Sequence, residues 1–309
     1  MNISFGREAC QDFDSACSRE WLETDGTGGY ASSTIIGCNT RKHHGLLVLS
    51  TNPPYNRVNI LAKYKEVLIS GINRFDLSTN QYPDTVFPEG YKMQESFSLN
   101  PFPTYTYKIG DIEVVKQVFL VSGKQMCVVL YETVKGNGPI QLVVKPLISG
   151  RSLHCLQKEN DSINQTAKVS ENTAVFSPYP FVPMIYFYHN AEEYQHGPDW
   201  YRNFVYTREK EMGLDYLEDL WMPGEFKFDL SSGRKAYIIC TVNKENIVGV
   251  STLVEMEKHR RNQVSRQIKV DDKHVRALSL AADQFVCRSG KDEQTVIALK
   301  AMVDAVLEM

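Results

Sequence analysis

The stretch REWLETDGTGGYASSTIIGCNTRKHHGLLVLS, residues 19–50, says more about the fold than any other part of the chain. Its GTGG segment permits positive φ angles and close approach of neighbouring backbone, which is typical of a tight turn. Residues 30–37 alternate small and β-branched side chains, and residues 46–49 are an apolar run too short for a helix. Both runs predict strands, the second a buried one. The stretch therefore predicts a β-hairpin, whose connection carries a cluster of basic side chains and histidines.

Strand patterns continue from this hairpin to about residue 250. Short apolar or alternating runs rich in Val, Ile, Tyr and Phe predict strands at residues 65–70, 114–121, 126–133, 140–146, 174–176, 184–189, 225–230 and 236–242. Hairpin turns are predicted around Gly110 and Gly123. Many short strands without interleaved helices indicate antiparallel sheets packed face to face, so we expect a mainly β fold.

The pattern changes after residue 249. Thr252 and Glu255 have the spacing of a helix N-terminal capping box, and the polar segment that follows predicts a charged helix or linker. Two later segments repeat apolar residues at helical spacing, which predicts helices that begin at Asp271 or Asp272 and at Asp292. The repeats are Val275, Leu278, Ala282 and Phe285 in the first segment, and Val296, Leu299, Val303 and Val306 in the second.

These patterns divide the chain into a β-sandwich domain, residues 1–249, and a helical linker with C-terminal helices, residues 250–309. The last predicted helix has an apolar face along one side. We expect that face to be a surface for homodimerisation or aggregation.

Composition excludes several classes of partner and cofactor. The formal net charge of −3 creates no field that would attract nucleic acid or an anionic membrane. No apolar stretch approaches the roughly 20 residues that cross a bilayer, and the first residues lack the pattern of a secretory signal. The seven cysteines are scattered, which indicates reduced thiols in a cytoplasmic protein and no zinc-ligand spacing. The GTGG turn lacks the Lys-Ser/Thr ending of a phosphate-binding loop, so we expect no cofactor and no metal.

Several motifs, in order, resemble the signature of the amino-terminal domain of bacterial and archaeal glycogen debranching enzymes, the amylo-α-1,6-glucosidase family. Residues 20–48 match a pattern close to EWL-T-GxGGYASxT-x-G-NTRKYHGLLV, except that His43 stands where the family has Tyr. KPLISGRSLH, residues 145–154, corresponds to a PL…RDYH-like segment. Further matching residues are Pro53, Pro54, Arg57, Lys63, Glu66, Trp200, Tyr201, Asn203, Tyr206, Glu209, Gly213, Glu218, Asp219, Leu220, Pro223 and Gly224.

The resemblance implies a large antiparallel β-supersandwich, galactose-mutarotase-like and akin to the one that precedes bacterial glucoamylase barrels. In the family this domain precedes an (α/α)6 barrel that holds the acidic pair hydrolysing the α-1,6 linkage. The family junction usually continues as TVIAGY-x-WF-x-x-WGRD, whereas here TVIA, residues 295–298, is followed by LKAMVDAVLEM. We therefore expect that the barrel is absent and that this polypeptide alone has no debranching activity.

Two functions follow from the resemblance. In the first, the chain is the non-catalytic amino-terminal domain of a glycogen debranching enzyme, which supports the barrel and contributes to binding of α-glucan, glycogen or limit dextrin. In the second, it is a free-standing glucan-binding or protein-interaction module.

The candidate substrate-binding residues fall into three groups. Trp21 and Tyr30 flank the glycine-rich turn and could stack on a glucose ring, with burial in the core as the alternative. Arg41, Lys42 and His44 could hydrogen-bond sugar hydroxyls or partner carboxylates, with purely structural pairing as the alternative. Trp200 and Tyr201, in a predicted Gly-Pro loop, are further sugar platforms.

Two sets of residues are poor candidates for chemistry. Because adjacent residues of a regular strand point to opposite faces, His43 and His44 cannot both ligate one ion there. Glu209, Glu218 and Asp219 are close together in sequence, whereas catalytic carboxylates usually come from separate segments. We expect these acids to form loop hydrogen bonds or an interdomain salt bridge.

Overall fold

The computed structural model describes residues 3–52, 55–247, 249–267, 273–289 and 293–296. The strands are β1 (Ile3–Gly6), β2 (Glu20–Thr24), β3 (Tyr30–Thr34), β4 (Gly45–Asn52), β5 (Tyr55–Ser70), β6 (Asn73–Asp76), β7 (Thr79–Tyr82), β8 (Thr85–Glu89), β9 (Gln94–Leu99), β10 (Pro103–Ile109), β11 (Ile112–Leu120), β12 (Met126–Lys135), β13 (Ile140–Ser152), β14 (Ala167–Ser170), β15 (Thr173–Phe176), β16 (Ile185–His189), β17 (Glu193–Val205), β18 (Leu217–Asp229), β19 (Lys235–Thr241), β20 (Val286–Ser289) and β21 (Glu293–Val296). The helices are α1 (Arg7–Gln11), α2 (Phe13–Cys17), α3 (Thr207–Glu211), α4 (Val250–Gln267) and α5 (Lys273–Asp283), with 3-10 turns at Gly90–Met93 and Ser231–Gly233.

Two large antiparallel sheets form the body of the protein. The nine-stranded sheet has the order β1-β9-β10-β11-β12-β19-β16-β15-β14. The eight-stranded sheet has the order β17-β18-β13-β5-β4-β3-β2, with β6 paired to β5. Two separate hairpins, β7-β8 and β20-β21, complete the described strands. The predicted fold class, a mainly antiparallel β-sandwich followed by helices, is confirmed.

Alternation of side chains explains why these segments form sandwich strands. In β10 the residues at every second position are buried, among them Tyr105 and Tyr107, while Thr104 and Lys108 are not. The predicted turn at Gly110, whose φ is 58°, joins β10 to β11 in register. Apolar residues from both sheets then meet in one continuous core, for example Phe97 of the nine-stranded sheet and Leu61 of the eight-stranded one.

A buried ion pair connects the two sheets within this core. Glu66 of β5 accepts a hydrogen bond from Lys116 of β11, and their side chains are 4% and 11% exposed. Tyr131 of β12 donates to the same carboxylate at 3.1 Å, and Ser78 donates to it at 2.7 Å. Because every oxygen of this carboxylate has a donor, the charge is accommodated inside the sandwich.

Helix α4 packs against the nine-stranded sheet. Leu253 lies on the apolar cluster that contains Phe102. Arg261 pairs with the buried carboxylate of Glu23 on β2, and its guanidinium lies 4.7 Å from the centre of the Phe102 ring. The segment predicted to be a charged helix or linker is therefore a helix, α4, held to the sandwich by both apolar and charged contacts. The helix predicted from Asp271 or Asp272 is present as α5 over Lys273–Asp283.

Two local predictions are wrong. The helix predicted from Asp292 is contradicted at Glu293–Val296, which form β21 paired with β20, because pairing between strands outweighs a weak local helix preference. Its other apolar positions, Leu299, Val303 and Val306, lie outside the described residues. Trp200 and Tyr201 lie in strand β17 rather than in a loop, since a register shift between His196 and Asp199 accommodates Gly197 and Pro198 as a bulge.

The described helices and cysteines add two findings. No described helix is both long and apolar enough to cross a membrane. All seven cysteines are free thiols.

The core predicts a contrast between two phenylalanines. Phe187 is fully buried against Phe176 and Phe226, so Phe187→Ala should lower the free energy of unfolding by about 3–5 kcal/mol in urea titrations. Phe87 is 60% exposed, and Phe87→Ala should change the free energy of unfolding by less than about 0.5 kcal/mol. Equal losses in the two variants would contradict the assigned core.

Candidate functional site

The connection between β3 and β4 is held rigidly from within. Its chain reverses where the His44 N–H donates to the Arg41 carbonyl at 3.0 Å. Thr40 N–H donates to His44 Nδ1 at 3.1 Å, and the Asn59 amide donates to the His44 carbonyl at 2.8 Å. His43 and His44 therefore lie in a turn, where hydrogen bonds to strands β3 and β5 fix the backbone.

Glu20 of β2 binds the basic side chains of this turn. Arg41 Nε donates to Glu20 Oε1 at 2.7 Å, and His44 Nε2 lies 3.4 Å from the same oxygen. Burial alone raises the pKa of Glu20, but the contacts with His44 and Arg41 outweigh it and lower this pKa to about 2. Burial, together with the charge of Lys42, lowers the pKa of His43 to about 4, so this imidazole is neutral near pH 7.

A buried pair lies beneath the same turn, on two strands that are neighbours in the sheet but far apart in sequence. Arg151 of β13 binds both carboxylate oxygens of Glu218 on β18, and these side chains are 2% and 0% exposed. Arg151 Nη2 also donates to the Lys42 carbonyl at 2.9 Å. The Tyr206 hydroxyl and the Gln157 N–H donate to Glu218 as well. Burial lowers the pKa of Arg151, but the charge of Glu218 outweighs it and raises this pKa above its usual range.

Two further acids bind backbone around this pair. Asp219 accepts from the N–H groups of Glu159 at 3.0 Å and of Asn203 at 2.7 Å, which stabilises the positive φ of Asn203. Glu209 of α3 is 1% exposed and interacts with the backbone of Lys42, and burial raises its pKa. The acids therefore hold the 157–159 segment, strand β17 and the turn in place.

We call the resulting group the motif cluster; it comprises Glu20, Arg41, Lys42, His44, Arg151, Tyr206, Glu209 and Glu218. Its members come from three sequence segments that the motifs singled out. The carboxylates of Glu20 and Glu218 bind cations, a hydroxyl or a backbone N–H of the domain itself, whereas Glu209 Oε2 is buried without a hydrogen-bond partner. Among the described residues, no group of three or more His, Cys, Asp or Glu side chains is placed to hold a metal ion.

The glycine-rich turn next to the cluster is closed by its own side chain. Asp25 Oδ1 accepts from the N–H groups of Thr27 at 2.7 Å and of Gly29 at 3.0 Å. A side chain at Gly29 would place its first carbon 2.8 Å from the carbonyl oxygen of Val48. Glycine is required here because backbone crowds backbone, and the N–H groups that a phosphate-binding loop would offer to a ligand are used internally.

The structure separates the residues that the sequence suggested for sugar contact. Trp21 is 2% exposed and donates to the Thr34 carbonyl and the Tyr105 hydroxyl, so its ring faces the core. Tyr30, 4% exposed, donates to the His43 carbonyl at 2.8 Å. Both rings fit the burial alternative and offer no face to solvent. Of this set, the structure brings Tyr30, Arg41, Lys42 and His44 together.

The other two candidates lie elsewhere on the eight-stranded sheet. Trp200 is 7% exposed and faces Trp221 across the β17-β18 pair. Tyr201 is partly exposed, with the Lys65 ammonium 5.2 Å from its ring centre. Sugar contact through Lys42 or Tyr201, whose side chains reach the surface, stays a prediction.

Sequence reasoning did not single out Arg151 and Tyr206 as parts of one site. Both occur in segments that match the family motifs, but the segments are far apart in the chain. Arg151 and Glu218 are separated by 67 residues, and no local spacing signals their pairing. For Glu218 the salt-bridge expectation holds, with the difference that its partner belongs to the same domain.

The family comparison agrees with this convergence of motifs. The family model described as glycogen debranching enzyme N terminal matches residues 19–237, which include every member of the motif cluster. The chain belongs to this family. The motif cluster of this debranching-enzyme amino-terminal domain is therefore built from residues inside the matched region.

Solved structures show more distant likenesses to this debranching-enzyme domain. A putative kojibiose phosphorylase from the human microbiome shares 10% sequence identity, with a TM-score of 0.39. The match covers 92% of this chain and 38% of the phosphorylase chain. A bacterial glucoamylase complexed with acarbose shares 10% sequence identity, with a TM-score of 0.37. The match covers 87% of this chain and 35% of the glucoamylase chain. Heparan sulfate lyase HepC from Pedobacter heparinus shares 11% sequence identity, with a TM-score of 0.30. The match covers 55% of this chain and 22% of the lyase chain.

At these TM-scores the likenesses carry no weight for function. This chain spans 22% to 38% of the length of these proteins. A search among curated proteins finds no match.

The buried pair of the debranching-enzyme domain predicts a large cost for removing one partner. Arg151→Met leaves Glu218 buried without its cation and should lower the free energy of unfolding by about 3–5 kcal/mol in urea titrations. Arg202→Met removes a pair whose side chains are 49% and 43% exposed, and should lower the free energy of unfolding far less than Arg151→Met does. A similar cost for both variants would show that the buried pair does not hold the cluster.

The lowered pKa of Glu20 predicts a specific pH dependence. Ionised Glu20 stabilises the folded state above its ordinary pKa of 4.5, and this stabilisation is lost as the pH falls towards 2. Between pH 6 and pH 3 the wild type should therefore lose about 2 kcal/mol more than Glu20→Gln, measured by urea unfolding at each pH. Glu95→Gln, whose carboxylate is 39% exposed, is the control and should lose as much as the wild type.

Proposed function

We propose that this domain is the non-catalytic amino-terminal part of an amylo-α-1,6-glucosidase-type debranching enzyme. It braces a helical catalytic domain and contributes surface to α-glucan binding during glycogen breakdown. The family match over residues 19–237 supports the enzyme class.

The proposal rests on one observation. Signature residues from three separate segments lie close together, and their charged side chains pair with one another. Hydrolysis of a glycosidic bond needs an acid with a raised pKa and a base about 6.5–9.5 Å away across the bond. Glu218 is closed off by Arg151 and Tyr206, and Glu20 has a pKa of about 2. Glu20 is therefore ionised near pH 7, and both oxygens of Glu218 are already bound, which supports assigning the bond-breaking acids to another domain.

The cluster is suited to present a surface. Arg151 fixes the carbonyl of Lys42 from inside the protein. The side chains of Lys42 and His43 remain partly exposed above this support. A rigid polar turn of this kind can hydrogen-bond either sugar hydroxyls or carboxylates of a partner domain without a large ordering cost.

The C-terminal segment is the proposed connection to the catalytic domain. Residues 1–249 then form the sandwich, and residues 250–309 lead into an (α/α)6 barrel. The Arg261–Glu23 pair and the contact of Leu253 with the sheet fix the direction in which α4 leaves the sandwich. A fixed exit direction is what a bracing domain requires.

Glycogen binding by the purified chain tests the proposal. In native gels cast with glycogen, the chain should be retarded with a dissociation constant of about 1 mM in glucose-chain ends, because a shallow surface leaves much of a sugar in water. It should release no glucose from a branched limit dextrin. A non-glucan polysaccharide gel serves as the control.

Two results would contradict this proposal. Release of glucose by the chain alone would show that the bond-breaking acids lie within it. Equal migration with and without glycogen would remove the role in glucan binding.

A further inference from the structure

The segment SPYPFVP, residues 177–183, presents an aromatic ring to solvent. Phe181 is 73% exposed, the most exposed phenylalanine of the described residues. Its ring stacks on Tyr179 with centroids 5.3 Å apart and planes within 11° of parallel. Since Tyr179 covers one face, the exposure of Phe181 comes from its opposite face. The open face of this stacked pair is available for contact with a flat apolar group.

The segment that carries the ring is already ordered. Pro178, Pro180 and Pro183 restrict its backbone φ angles. The Val182 N–H donates to the Tyr179 carbonyl at 3.1 Å, and Val182 is 4% exposed, so the loop is anchored in the protein. A ligand that stacks on Phe181 therefore orders little of the chain on binding, and a weak contact can contribute its full strength.

Two amide side chains hold Tyr179, the ring that backs Phe181. The Tyr179 hydroxyl accepts hydrogen bonds from Gln157 Nε2 at 2.6 Å and from Asn160 Nδ2 at 2.9 Å. Both amides belong to a segment whose other exposed members include the polar residues His154 and Lys158. A protein interface core would require a broader apolar surface than one ring with polar neighbours.

The platform is mechanically joined to the motif cluster. The Gln157 N–H donates to Glu218 Oε1 at 3.0 Å, and the Asp219 N–H donates to the Gln157 carbonyl at 2.9 Å. Gly150, next to Arg151, lies against the Tyr179 ring. Phe181 and the 41–44 turn therefore belong to one connected part of the domain.

We propose that Phe181, backed by Tyr179, is a stacking platform for one glucose unit of an α-glucan chain. A pyranose has an apolar face of C–H groups, which matches the open ring of Phe181. This assignment rests on the proposed function for its ligand class, and it moves the aromatic contact from Trp21, which is buried, to Phe181.

Three variants test the platform in the glycogen gel. Phe181→Ala should weaken glycogen binding about tenfold, since the stacking contact is lost. Phe181→Trp keeps a flat ring and should bind as tightly as the wild type. Phe87→Ala removes a second exposed phenylalanine, 60% exposed on β8, and should bind as the wild type does. Circular dichroism melts check that each variant is folded.

The outcomes separate this inference from the proposed function. If the wild type binds glycogen and folded Phe181→Ala binds equally well, the platform is overturned while the glucan role stands. If the wild type does not bind glycogen, both the Phe181 platform and the role in glucan binding are overturned. Unchanged glycogen binding with loss of association to the catalytic domain in Phe181→Ala would assign the ring to a protein contact and overturn the sugar platform.

Discussion

The buried pair of Arg151 and Glu218 determines how the end of this sandwich is built. Both side chains lie out of water, which costs several kcal/mol for each ion unless every donor and acceptor is matched. Here the carboxylate binds the guanidinium on both oxygens and also receives Tyr206 and the backbone of Gln157. The geometry is satisfied only when strands β13 and β18, helix α3 with its preceding residue and the 157–159 segment are all in place.

A second buried ion pair, deeper in the fold, also fixes the relative position of the strands that it joins. Glu66 and Lys116 join the two sheets across the core, with Tyr131 and Ser78 completing the carboxylate's partners. An apolar sandwich interface tolerates some sliding, because dispersion contacts have little direction. A charge pair does not, since any shift would leave one ion buried alone. The two polar nodes thus disfavour alternative registers of the strands that they join.

These constraints divide the domain into a rigid interior and a presenting surface. Glu20 and Glu218 are bound to cations, whereas a turn with Lys42 and a proline-held ring, Phe181, are among the groups that reach solvent. Such an arrangement suits recognition and support, because neither task requires a side chain to change its protonation state. Bond cleavage does require that change, and the proposed division of labour gives it to a helical partner domain.

The sequence by itself determined the class of fold, because a repeat of two in apolar residues is a direct consequence of strand geometry. It also located the hairpin that carries Arg41 to His44, since glycine at positive φ and a short apolar run are local signals. Helix over 250–267 and 273–283 could also be predicted from local signals, a capping box in the first segment and apolar residues at helical spacing in the second. The family motifs marked the residues of the cluster, but only as separate segments.

Tertiary structure alone decided which of those residues meet and which faces are covered. Trp21 could have faced either side of β2, and the packing of Tyr105 from the opposite sheet places it inside. Arg151 and Glu218 are 67 residues apart, so their pairing depends on strand order, which no local pattern encodes. Residues 293–296 read as helix in isolation, yet a neighbouring strand offers backbone partners that the isolated segment lacks. The physical reason is common to all three: local sequence fixes periodicity, whereas burial and charge pairing depend on neighbours that only the assembled sheets supply.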